Sequence, residues 1–327
     1  MTLQEKIVDK YVAQAILEFD SSPLARGFLR RLANESPAMF LAAAMKHLRS
    51  NENSNGHRYL AVLALRQDEL TGYLASPANA TREVARNLFL RFLGVDPSFD
   101  VKLARKLPDR NSTKQANAFT VTQSTRALDI LDQTSRGRRL LPIVGHLPHV
   151  ADDRIAAKAT LFVGRRVMSP AWSAAQLARE EQRIRANAVE AIWGFHSPAA
   201  VHLFEMCVKD RNNRVLGNAL LGLHILGHRS IEAELLSMAR TEAPEYRSTA
   251  AWAMGRTAQE KWVDALTVMV RDEHPQVRGM AFRSLKAIRQ KSSPEVGQPE
   301  VVPPTIPQTP PDGATYEAFP NYHYLRY

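Results

Sequence analysis

The chain has 327 residues, 45% of them apolar and 7% aromatic, enough to bury a sizeable core but poor in the aromatics a β-sandwich favours. Its formal net charge is +10, and its one cysteine, Cys207, excludes an internal disulfide and a cysteine-based metal centre. No run of about 18 apolar residues occurs, so no segment reads as a membrane span.

The N-terminal stretch 1–20 spreads charges through its apolar positions, unlike a secretory signal. With the single cysteine, this sets the expected location as cytoplasmic. Leu3, Ile7, Tyr11, Ala15 and Phe19 recur every four residues, which predicts an amphipathic helix with that stripe against the core. The polar side mixes acids with Lys6 and Lys10, which weighs against a membrane-surface helix. Phe40, Ala44 and Leu48 predict a further helix before a polar turn, Ser50–Asn55. Val84, Leu88 and Phe92 predict another, and residues 108–124 read as a loop. Residues 1–150 are therefore expected to be divergent helical repeats.

The positive charge is local. Residues 101–150 hold nine Lys and Arg against three acids. Lys102, Arg105, Lys106, Arg110, Lys114, Arg136, Arg138 and Arg139 form a candidate contact surface. Phe119 is the one aromatic in that segment, so stacking on bases is not indicated. Contacts to phosphates need only cations. An acidic protein surface is the expected partner, and nucleic acid the alternative.

From residue 151 a repeat is explicit. Ile155, Ile184, Val215, Tyr246 and Val277 each open a helix, and the last three steps between them are 31 residues. Call these the marks. Four residues after each stands alanine: Ala159, Ala188, Ala219, Ala250 and Ala281. Eight residues after each stands a larger apolar residue: Val163, Ile192, Leu223, Met254 and Leu285. The three positions share one helical face, and alanine at the middle allows close approach. A second helix follows in each unit, seen in Val201, Phe204 and Cys207 and again in Val263, Leu266 and Met269. Gly194, Gly227 and Gly255 suit the turns between helices. Asp210 and Asp272 close their units where they can cap the next helix, and Pro244 and Pro275 fit a first helical turn. A helix pair of this size buries both apolar faces only by stacking on neighbours, which predicts an all-α solenoid.

The stretch 250–288 resembles the short HEAT-like repeats of the phycobilisome lyase type. In that motif an apolar residue and arginine precede alanines, a glycine turn, a second helix and a terminal acid. Arg185, Arg247 and Arg278 match the motif's arginine, while Ala156 and Leu216 stand in its place after Ile155 and Val215. The resemblance covers about residues 151–290. It implies a HEAT-repeat superhelix, and it leaves a lyase-type enzyme as a second alternative function.

Catalytic signals are lacking. No His is followed by Glu, the dipeptide that metal-dependent HEAT-like hydroxylases use. No phosphate-binding glycine loop and no nucleophile elbow occurs. Cys207 falls on a buried helical face. No catalytic residue, metal or cofactor is expected.

Composition changes after Gln290. Residues 291–312 contain seven prolines, which favour an extended spacer. The last residues, 316–327, hold Tyr316, Phe319, Tyr322, Tyr324 and Tyr327. Residues 291–327 are expected to be mostly disordered, yet such tails normally lack aromatics, so this cluster reads as a docking peptide, in cis, in a neighbouring copy or in a partner. The expected function is a non-catalytic scaffold or adaptor that binds protein through the solenoid surface.

Overall fold

The computed structural model describes residues 2–49, 52, 54–75, 86–87, 99–109, 119–134, 138–228 and 230–292. Among these residues all regular structure is helical. The first half holds α1 (Leu3–Leu17), α2 (Pro23–Glu35), α3 (Pro37–His47), α4 (Asn55–Leu65), α5 (Phe99–Ala104), α6 (Val121–Thr134) and α7 (Leu141–Val144). The second half holds the pairs α8 (Asp153–Val167) with α9 (Pro170–Leu177), and α10 (Gln182–Glu190) with α11 (Pro198–Cys207). Next come α12 (Asn213–Ile225) with α13 (Glu232–Met238), and α14 (Pro244–Thr257) with α15 (Val263–Met269). A last helix, α16 (Pro275–Ser292), completes the stack. The architecture is the expected α-solenoid. Val84, Leu88, Phe92 and the tail from residue 293 lie outside the described residues.

α1 starts in a capping box: Glu5 N donates to Thr2 Oγ1 at 3.2 Å, and Thr2 N donates to Glu5 Oε2 at 2.7 Å. The buried face of α1 differs from the expected one. Ala15 and Phe19 are buried with Val12 and Ile16, but Leu3 is 76%, Ile7 48% and Tyr11 55% exposed. The helix carries two apolar stripes; α2, α3 and α4 pack mainly on one, and from the other Tyr11 meets Phe28 of α2 with ring centroids 6.1 Å apart. Phe40, Ala44 and Leu48 are buried as expected. Val121 opens α6, so the loop read over 108–124 ends earlier than expected.

In the regular half the repeat positions are the core. Every alanine four residues after a mark is fully buried, and so are the larger residues eight after. Four of the five marks are buried as well, and the fifth, Tyr246, is half-buried. The Tyr246 hydroxyl donates to the Arg211 carbonyl. Phe204, Cys207, Leu235, Met238, Leu266 and Met269 close the second face. Each full burial of such a side chain contributes about 1.5–3 kcal/mol, so the apolar pattern dominates the stability of the stack.

Turns follow the expected chemistry with two exceptions. Gly194 and Gly227 take left-handed φ of 76° and 65° at the ends of their units' first helices. α14 instead runs through Gly255 to Thr257, and Ala258 takes the left-handed conformation at φ 51°. Gly255 serves close approach: a Cβ there would stand 2.4 Å from Ser284 Oγ of α16. The cap of α12 is Asn212, which accepts from Arg214 N and Val215 N at 3.1 and 3.2 Å. Asp210 sits two residues earlier, accepting from Asn212 N at 2.7 Å.

The arginine after a mark and the closing acid form one device. Arg247 Nε and Nη2 donate to the two Asp272 oxygens at 2.8 and 2.9 Å. Its Nη1 donates to the carbonyls of Thr241 and Glu242, which end the preceding unit, at 3.0 and 2.6 Å. Arg185 makes the same carbonyl contacts to Arg179 and Glu180 and lies 3.6 Å from Asp210. Arg278 repeats the carbonyl contacts with Asp272 and Glu273. A second ladder runs three residues after the first three marks. Lys158 reaches Asp129 at 2.6 Å, Asn187 Nδ2 donates to Ala157 O at 2.7 Å, and Asn218 Nδ2 donates to Ala186 O at 2.8 Å. Each rung ties a helix to the unit before it.

The irregular and regular halves meet at a buried guanidinium. Arg166 is 4% exposed. It donates to Asp132 Oδ1 at 3.0 Å and to Phe162 O at 2.6 Å, with its guanidinium carbon 3.4 Å from the Phe162 ring centroid. Arg165 bridges Asp132 of α6 and Glu190 of α10, the latter at 2.8 Å.

Two outcomes are expected. Asn218→Ala leaves a buried carbonyl one partner short and lowers stability by about 1–3 kcal/mol, read as a lower urea midpoint at unchanged slope. Asp272 is held below the usual carboxylate range, first by hydrogen bonds from Arg247. Its contribution is complete above the unfolded value near ~3.9 and is lost as pH falls through the depressed folded value. Asp272→Asn therefore flattens the acid limb of the stability curve below about pH 4, measured by denaturation at stepped pH.

Candidate partner-binding surface

The basic segment expected from the sequence divides in the structure. Lys102 lies on α5 and Arg105 just after it, and both are exposed, while Lys106 is half-buried. Arg138 Nε donates to Arg166 O at 2.9 Å and so closes the end of α8. Arg139 pairs through Nε at 3.1 Å with Asp100, which is 3% exposed. These two arginines anchor α5 and α8. Arg110, Lys114 and Arg136 lie outside the described residues, as do Tyr316, Phe319, Tyr322, Tyr324 and Tyr327.

A different surface emerges on the second helices. Twenty-two residues after three successive marks stand Met206, Ser237 and Val268, all exposed, with Met206 at 50% and Val268 at 74%. Twenty-five residues after the same marks stand Lys209, Arg240 and Arg271, all exposed. These cations follow the C-termini of α11, α13 and α15, where the helix dipole favours positive charge. No side-chain ion pair engages any of the three among the described residues. The acids of this face are differently placed. Glu232 accepts from Lys261 at 2.6 Å, and Glu205 lies 3.9 Å from His228. Ala171, Ala174 and Ala175 of α9 and Ala233 of α13 leave the face low in relief. Adjacent units of packed helices stand about 10 Å apart, so the three cations form rungs at that spacing. The signal was present in the sequence as a basic residue at one fixed offset, in register with the repeat.

The edge where α8, α10 and α12 begin holds an open polar depression of about 1060 Å³. Its cations, Arg179, Arg183 and Arg214, are matched there by Asp153, Glu180 and Glu181. Asn212 Nδ2 crosses it to Gln182 Oε1 at 2.6 Å. The balanced charge gives this edge no preference of sign.

Residues 231–303 match the family model of HEAT repeats. Among the described residues that match spans α13 to α16, so these helices are HEAT repeats. No curated protein matches its sequence. Among solved structures, human deoxyhypusine hydroxylase in complex with glycerol aligns over 88% of this chain and 99% of that one, at 15% identity and a TM-score of 0.34. A chain from the structure of tubulin recruitment and assembly by microtubule polymerases with TOG domain arrays aligns over 89% of this chain and 93% of that one, at 11% identity and a TM-score of 0.30. A designed armadillo repeat protein aligns over 68% of this chain and 99% of that one, at 15% identity and a TM-score of 0.25. A HEAT-repeat scaffold of this kind fits a protein-binding role.

Two titratable groups of the repeats, His224 and Cys207, sit within the packing. Burial first, then Lys261, lowers the His224 imidazole from its ordinary value. Among the described residues no group of three or more His, Cys, Asp and Glu is arranged to hold a metal ion. Among the described residues no helix is long and apolar enough to cross a membrane. Cys207 is 4% exposed, and burial pushes its thiol up to about 12. At neutral pH it is a protonated thiol behind closed helices, the opposite of an activated nucleophile. Native protein is expected to react with a thiol-disulfide reagent only through unfolding. The absorbance trace should rise at least 100-fold faster in denaturant, an estimate of about 10²–10⁴ from typical opening free energies.

Proposed function

We propose that this protein is a non-catalytic adaptor of the cytoplasm, and that the exposed face of its second helices holds an acidic segment of a partner protein. The observation that carries the reading is the set of rungs Lys209, Arg240 and Arg271. They are exposed, hold one repeat position and lie beside the apolar contacts of Met206 and Val268. Rungs about 10 Å apart match acids at every third residue of a polyproline II segment, which has three residues per turn and advances about 3.1 Å per residue. They equally match acids seven apart on a helix, which rises about 1.5 Å per residue. The apolar side chains supply burial, and the cations supply register and rate. The segment around Lys102 and Arg105 extends the positive field without sharing the repeat.

The test uses a fluorescent peptide with glutamate at every third residue and apolar residues between, titrated in low salt. The native chain should bind it, and the variant Lys209→Glu, Arg240→Glu, Arg271→Glu should bind roughly tenfold or more weaker, since exposed pairs contribute about 0.2–1 kcal/mol each. Equal binding by both proteins would sink the reading. Tighter binding of duplex DNA than of the peptide, with a steep salt slope, would replace it with nucleic-acid recognition.

A further inference from the structure

The fifth position after a mark is closed in every unit but the last. Thr160, Val189, Leu220 and Ala251 are all 0% exposed. Phe282, at the same position of α16, is 62% exposed. In earlier units the following pair lies against that side of the first helix. A Cβ on Gly217, one turn from Leu220, would stand 2.5 Å from the Thr249 side chain of α14. The sequence after α16 departs from the register of the repeat. A second helix would need apolar residues at 294, 297 and 300, and these are Pro294, Gly297 and Glu300. Prolines also stand at 299, 303 and 304.

We propose that the aromatic segment of the same chain, residues 316–327, covers this face of α16. Charge draws the tail as a whole back to this helix, while within 316–327 Glu317 and Arg326 cancel. α16 contains Arg278, Arg283, Lys286, Arg289 and Lys291 and no acid. Residues 293–327 contain Glu295, Glu300, Asp312 and Glu317 against the one cation Arg326. Composition points the same way, because the segment offers five aromatic rings to a face whose exposed apolar residue is Phe282. Reach is ample. Residues 293–315 begin at the end of α16 itself, and a tether of that length holds its end at an effective concentration on the order of millimolar. The other exposed apolar stripe, Leu3, Ile7 and Tyr11, stands at the far end of the stack among Lys6, Lys10 and Glu18. Closing the shorter loop costs less entropy, and the mixed charge there gives the acidic tether no attraction. The inference does not depend on the adaptor reading, since it needs no partner.

The test places the photo-crosslinking residue p-benzoylphenylalanine at position 282 of the full chain. Irradiation of dilute protein should join it to a peptide within 313–327 in a band of monomer size. A dimer-sized band would reassign the occupant to a second copy, and a crosslink elsewhere or none would overturn the proposal. A second measurement guards against damage from the substitution. Hydrogen exchange of α16 is compared between the native chain and one with Tyr316, Phe319, Tyr322, Tyr324 and Tyr327 changed to serine. The serine chain should exchange about tenfold faster in the last turns of α16, and equal rates would overturn the proposal.

Discussion

A fully buried alanine four residues past each mark governs the spacing of the stack. Ala159, Ala188, Ala219, Ala250 and Ala281 let successive first helices approach closely enough for asparagine and arginine arms to reach across. The arms have fixed lengths. Asn187 and Asn218 span to carbonyls of the preceding helix at 2.7 and 2.8 Å, and a bulkier residue at the alanine position would lift them out of range. Apolar burial therefore supplies most of the free energy, and the polar ladders select one register among the many that burial alone would accept. The exposed rungs on the second helices inherit this spacing without contributing to it.

The regular half was legible because its code is redundant. Three apolar positions, an arginine and an acid repeat together, so a departure at one position left the rest readable. The pairing of Arg247 with Asp272 joins two residues the repeat already set apart, although the acid's main partner is the arginine and only secondly the turn before the next helix. The misreadings have physical causes. α1 bears two apolar stripes, and periodicity cannot tell which of them a neighbour covers. Gly255 looked like a turn residue because glycine serves both left-handed backbone and close packing, and only the tertiary contact with Ser284 separates the two uses.

The binding surface was legible in a weaker sense. Counting charge over 101–150 found real cations, but Arg138 and Arg139 are committed to Arg166 O and to Asp100 inside the fold. Net charge over a window cannot separate an arginine that closes a helix end from one that faces a partner. Alignment within the repeat does separate them. Lys209, Arg240 and Arg271 share a position that packing does not use, and the proposed contact with a partner rests on that shared position.

The guanidinium of Arg166 has a mechanical consequence. Long repeat arrays are often treated as springs that flex wherever two units meet. Here the seam between the irregular and regular halves is held by a charge that cannot leave Asp132 without standing uncompensated in a nonpolar interior, while Arg165 ties the same carboxylate forward to Glu190. Bending at that seam is thereby made more costly than bending where only apolar faces slide. Compliance in this solenoid is pushed away from that seam.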